Sequence, residues 1–76
     1  MTKAEAITYL TEHDRWTLEV GGKTLHRKGP TARGFGVVFQ DGATLDLTGA
    51  KVTREGEALT IAWPGTKWAA VLRPVV

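Results

Sequence analysis

The chain of 76 residues contains no cysteine, no serine and no asparagine. Without cysteine there is no disulfide, no thiolate zinc site, no iron–sulfur cluster and no thiol nucleophile, and the composition fits a reducing compartment. Without serine a serine nucleophile is impossible, and every cap, turn or hydroxyl role passes to Thr, Asp or Gly; eleven threonines are available for it. Long hydrophobic runs are missing too. None approaches the roughly 20 residues that span a bilayer, and Met1-Thr2-Lys3-Ala4-Glu5 lacks the basic-then-apolar layout of a signal peptide. The expectation is a soluble, cytoplasmic chain with no membrane contact. Nor is there an excess of one charge: ten Lys and Arg against eight Asp and Glu leave +2, which by itself makes no case for nucleic-acid binding. What remains is one small domain spanning 1–76, 42 % hydrophobic. A chain of this length buries only roughly 60 % of its unfolded surface and depends on a well-packed core.

Thr2 and Glu5 form a capping box, and Ala6, Ile7 and Leu10 recur at helical spacing, which predicts a helix over 3–13. It is too short to stand alone, so its Ile7 and Leu10 face must dock on something else. After Asp14 the apolar period becomes two. Trp16, Leu18 and Val20 alternate with polar residues, Gly21-Gly22 supplies a hairpin turn, and 23–28 returns. Pairing Val20 with Lys23 sets Leu18 opposite Leu25 and Trp16 opposite Arg27, with His26 and Lys28 on the polar face. Residues 29–34, with Pro30 and two glycines, read as a loop. Strands are then expected at 35–40, 43–48, 51–54, 58–63 and 68–73, with turns at Asp41-Gly42, Glu55-Gly56 and 64–67. In the last hairpin Trp63 faces Trp68, Ile61 faces Ala70 and Leu59 faces Leu72. Leu follows a turn glycine by three residues in 22–25, 42–45 and 56–59, a hairpin rhythm of unequal spacing rather than a true repeat. The fold class is therefore α+β: a short N-terminal helix followed by an antiparallel β meander of six to seven strands, as a small barrel or a strongly bent sheet.

Catalytic signals are sparse. Glu12-His13-Asp14 is the densest polar cluster, but neighbouring helical positions diverge by about 100° each, so one ion cannot take all three, and a solvated helix end is expected. Gly21-Gly22-Lys23-Thr24 lacks the upstream glycine of a phosphate loop and is read as a turn. No acid–base pair, nucleophile or cofactor fingerprint is recognisable, so the chain is read as non-enzymatic, with no cofactor and no metal.

Charge is more informative by region. Residues 1–14 carry −2 and residues 34–76 carry none, whereas 15–33 carry +4, from Arg15, Lys23, Arg27, Lys28 and Arg33 against Glu19. This basic hairpin is either an ordinary solvated edge guarded by lysines or a patch that tracks phosphates. Arg27 opposite Trp16 suggests a packed cation–π pair. In 35–40, Phe35, Val37 and Phe39 are expected on one face and Val38, pairing toward Leu45, on the other with Leu47. Such a strand is apolar on both sides and must be covered twice. Either the helix supplies one cover, or Phe35 and Phe39 face a partner chain. Trp63 and Trp68 form either a buried cross-strand pair or an anchor near an exposed turn.

Two resemblances accompany these readings. Residues 41–50, Asp-Gly-Ala-Thr-Leu-Asp-Leu-Thr-Gly-Ala, resemble the Asp-Gly hairpin and following corner of small β modules in phage tail and baseplate proteins, which implies an assembly piece without catalytic residues. Arg33-Gly34-Phe35-Gly36, continuing to Phe39, with Glu55-Gly56, Gly65 and Lys67, is similar to the motifs of cold-shock and related oligonucleotide-binding domains. That likeness implies a five-stranded barrel whose surface aromatics stack on single-stranded bases, with Phe35 as the matched position. Val37 and Gln40 stand where further aromatics are expected. The leading functional expectation is a small protein-binding or assembly module, a phage-derived inhibitor or accessory protein, meeting its partner through Phe35, Phe39, Trp63 and Trp68. The alternative is a single-stranded nucleic-acid binder using Lys23, His26, Arg27, Lys28, Arg33 and Phe35. Edge strands could also pair two copies into a homodimer.

Overall fold

The computed structural model describes residues 1–75. Its single helix, α1 (Lys3–Glu12), begins at the expected capping box: Glu5 N donates to Thr2 Oγ1 at 3.1 Å, and Thr2 N donates to Glu5 Oε1 at 2.8 Å. Two donors that a helix start leaves without partners are thereby satisfied. The same Thr2 N–H, with the Thr2 hydroxyl second, holds the Glu5 carboxyl below the usual carboxylate range. Ala6, Tyr9 and Leu10 form the buried face and Ile7 packs beside them.

Two aromatic residues lock α1 to the strands. Tyr9 Oη donates to the Glu57 carbonyl at 2.7 Å, and the Arg54 guanidinium lies over the Tyr9 ring at 4.2 Å. Trp16, fully buried, shares its Nε1–H between the carbonyls of Leu10 and His13, each at 3.0 Å. His13 meets the rings of Tyr9 and Trp16 edge-on. It is half-buried, so the expected solvated helix end is in part a packing joint.

Both long hairpins keep their expected registers. β1 (Arg15–Val20) and β2 (Lys23–Lys28) pair Val20 with Lys23, Leu18 with Leu25 and Trp16 with Arg27. Gly21 and Gly22 both take positive φ, 56° and 77°, as the tightest hairpin turn of matching twist requires. β6 (Lys51–Glu55) pairs with β7 (Ala58–Ala62), and β7 pairs with β8 (Ala69–Pro74) through Leu59–Leu72 and Ile61–Ala70.

The strand order departs from a meander. β1 pairs with β8, more than fifty residues later, giving a five-stranded sheet of order β2-β1-β8-β7-β6. β3 (Thr31–Arg33), β4 (Gly36–Val38) and β5 (Thr44–Asp46) form a separate three-stranded sheet, against which α1 packs. β3 lies inside the stretch read as a loop, and the described strands number eight rather than six or seven. Pro30 has no N–H and interrupts the ladder after β2; the chain turns there with Gly29 N bonded to the Asp14 carbonyl and Gln40 N to the Lys28 carbonyl. The two sheets share no ladder, so the described residues form no closed barrel. The class remains α+β, with antiparallel sheets throughout.

The core lies between the sheets. Trp16, Leu59, Ile61 and Leu72 enter from the large one, Val37, Phe39, Leu45 and Leu47 from the small one, and Leu10 from the helix. Val37, not Val38, stands opposite Leu45. One residue of register exchanges the faces of a strand, so Val37, Phe39, Leu45 and Leu47 share the inner side and Val38 is only half-buried. The strand covered on both sides is thus replaced by one with a single core face.

Candidate functional site

At one end of the large sheet the inner face runs past its cover. Trp63 and Trp68 extend the β7–β8 register by one step, with Trp63 N donating to the Trp68 carbonyl at 3.3 Å. Between them Thr66 fixes the turn: its hydroxyl donates to the Trp63 carbonyl at 2.7 Å and accepts from Trp68 N at 3.1 Å. β1 has already ended at Val20, so no strand continues beside Trp68. The result is a groove of about 490 Å³ lined by Leu18, Val20, Leu45, Trp63, Thr66, Trp68 and Ala70, none of them ionisable. Trp68 is 64 % exposed and Trp63 half-buried. They are not the buried cross-strand pair that the hairpin alone suggests, because the small sheet does not reach over them.

Phe35 and Phe39, expected together, are separated. Phe39 is only 3 % exposed and belongs to the core, so it leaves the candidate surface. Phe35 lies just before β4, where the strand alternation has not begun, and is 73 % exposed. It borders a second hollow with Arg33, Thr44, Leu45 and Asp46. Leu45 lines both hollows, so β5 is the ridge between the Phe35 depression and the Trp63–Trp68 groove. Asp46, exposed on this ridge, is held below the usual carboxylate range by the Thr48 hydroxyl and then by Thr48 N, which donates to it at 2.9 Å.

The basic residues fall into three places. His26, Arg27 and Lys28 line a hollow of about 390 Å³ with Arg15, Trp16, Asp41 and Val75. Lys23 stands at the other end of β2, beside the Gly21-Gly22 turn. Arg33 belongs to the Phe35 depression. Within the hollow Arg27 is committed to the protein: its Nη1 lies 3.3 Å from Asp41 Oδ2 and donates to the His26 carbonyl at 3.1 Å. These two partners, rather than the expected cation–π contact with Trp16, hold the Arg27 guanidinium. A carboxylate contributed by the β4–β5 turn was not visible in the charge count of the hairpin. Among the described residues no three His, Cys, Asp or Glu side chains converge as a metal set.

Of the site residues named from the sequence, Trp63 and Trp68 line the groove and Phe35 the second hollow; Leu18, Val20, Leu45 and Ala70, which also wall the groove, were not among them. Alternation places Leu18, Val20 and Ala70 on the apolar faces of their hairpins, whereas Leu45 was expected to pair toward Val38 and instead stands opposite Val37. Only the reach of the opposing sheet tells that this part of the inner face is open. No family model, curated protein or solved structure matches the chain.

Proposed function

We propose that this chain is a small, non-catalytic protein-binding module that captures a partner through the groove beneath Trp68. The observation that carries the reading is a large aromatic side chain, 64 % exposed, over an apolar groove without a charged wall. Water gains little from wetting such a groove, and a partner side chain placed there regains the lost hydrophobic contact. Aromatic anchors in desolvated pockets dominate the energetics of protein interfaces. The resemblance of residues 41–50 to phage tail and baseplate modules makes a phage-derived inhibitor or accessory protein, acting in the cytoplasm, the setting we favour.

The experiment is partner capture from host lysate by the tagged chain and by Trp68→Ala. Exposed substitutions away from special geometry shift stability by about 0.5 kcal/mol or less, whereas loss of a binding anchor costs about 2 kcal/mol or more, roughly thirtyfold in affinity. Trp68→Ala should therefore melt like the parent chain and lose the partner. Undiminished capture by that variant defeats the proposal.

The second reading, single-stranded nucleic-acid binding, is favoured by the exposed Arg15, His26 and Lys28 around one hollow and by the exposure of Phe35. It predicts a fall of orders of magnitude in oligonucleotide affinity between about 50 mM and 200 mM salt. It also predicts loss of binding in a Lys28→Glu/Arg33→Glu variant. The protein-binding reading predicts a shallow salt dependence and partner capture that survives this charge reversal.

A further inference from the structure

β5 is an outer strand of the small sheet, and the ladder shows which of its backbone groups are open. Phe39 N donates to the Ala43 carbonyl at 2.7 Å, and Leu47 N donates to the Phe35 carbonyl at 3.1 Å. These pairs, with Val37–Leu45 between them, are the hydrogen-bonded positions of the β4–β5 ladder. Alternation turns the N–H and C=O groups of Thr44 and Asp46 away from β4, toward the free edge. Both residues are exposed, and their backbone groups take part in no hydrogen bond outside the ladders among the described residues.

β5 borders the apolar groove under Trp68 on one side and, on the other, the Phe35 hollow, whose walls include Arg33 and Asp46. A strand laid along β5 sends successive side chains to opposite faces: one into the groove under Trp68, the next beside Phe35. The charges near this path are mostly positive. Arg33 lines the Phe35 hollow, Lys67 precedes Trp68, and Lys23 is the cross-strand partner of the groove residue Val20. Among the described residues none of the three belongs to an ion pair. Asp46 is the one carboxylate on the ridge, and it is already engaged by Thr48.

We infer that β5 takes up, by strand addition, an extended segment of a partner protein with alternating apolar side chains and flanking Asp or Glu residues. The inference rests on the groove reading above and adds the backbone mode and the charge of the partner. Strand addition obtains direction and register from main-chain bonds and specificity from pockets for alternate side chains. β5 supplies two donors and two acceptors for register, and the hollows on either side supply most of the buried apolar area.

The test is selection of random linear peptides, displayed in a library, on the full chain, with Trp68→Ala as the counter-target. The expected peptides alternate apolar residues, carry acidic flanks and protect the Thr44 and Asp46 amides from hydrogen exchange. Methylating the peptide nitrogens that face β5 should weaken binding about tenfold or more, the worth of two lost backbone bonds. Thr44→Pro removes an N–H that the β4–β5 ladder does not use, so it should keep the parent circular dichroism and lose the peptide. A selected peptide that quenches tryptophan fluorescence yet leaves Thr44 and Asp46 exchanging freely overturns strand addition and leaves the groove standing. Selected peptides without acidic flanks overturn the charge assignment. Failure to enrich any peptide over Trp68→Ala overturns both this inference and the groove reading. Protection of the same two amides without peptide, rising with protein concentration, assigns the edge to a second copy and overturns the inference in favour of a homodimer.

Discussion

Gly36→Ala adds one methyl group where the β4–β5 ladder leaves no room for it. A Cβ on Gly36 would collide with the Leu45 carbonyl oxygen, and would lie 2.9 Å from the Leu45 carbonyl carbon and 3.0 Å from Asp46 Cα. All three atoms are backbone, so no flexible side chain can yield, and the paired strands must separate. Overpacking of this kind costs about 1–3 kcal/mol, and loosening the Val37–Leu45 pair forfeits about two backbone bonds at about 1 kcal/mol each. The expected loss is about 3–5 kcal/mol. A domain of 76 residues has about 4–11 kcal/mol in total at the usual stability per residue. Thermal melts followed by circular dichroism should therefore drop by about 12 °C or more, at about 4–8 °C per kcal/mol for this size. Gly21→Ala is the control, because that position has open space but a φ of 56°. Its cost is conformational, about 1–2 kcal/mol, so it should melt above Gly36→Ala. If Gly36→Ala melts within about 4 °C of the parent chain, the close approach of β4 and β5 is wrong, and with it the edge on which strand addition depends.

Two further outcomes follow from the joint between helix and sheet and from the exposed carboxylates. Trp16→Phe removes the donor shared by the Leu10 and His13 carbonyls and opens a cavity, and should cost about 2–4 kcal/mol. Urea unfolding should show this as a lower midpoint at constant slope; a loss below about 1 kcal/mol contradicts the locking role of Trp16. Glu5 and Asp46 both have folded-state pKa values below their ordinary ones. Their stabilisation is present in full above the ordinary carboxylate range and is lost as pH falls through the depressed folded values. The acid limb of melting temperature against pH should therefore be shallower in a Glu5→Gln/Asp46→Asn variant, and an unchanged limb counts against both local hydrogen-bond assignments.

What the sequence determined by itself was local. The capping box needs only Thr2 and Glu5 three residues apart. The registers of the first and last hairpins follow once a short turn joins two alternating strands, since the turn length sets which residues face each other. That is why Trp16–Arg27 and Leu59–Leu72 were legible in advance. Tertiary structure decided whatever depends on elements distant along the chain. The β1–β8 pairing joins strands more than fifty residues apart, and alternation alone specifies no neighbour for either edge of a hairpin. The division into two sheets follows from the break at Pro30 and from which strands then find partners, so the expected meander and barrel gave way. The same reason governs the site. Alternation places Leu18, Val20, Trp63 and Trp68 on the apolar faces of their hairpins and Phe39 on an apolar face of its own strand, but burial depends on whether an opposing element reaches that point. Phe39 and Trp16 lie in the core between the two sheets and α1, while Trp68 lies past that cover and its groove stays open.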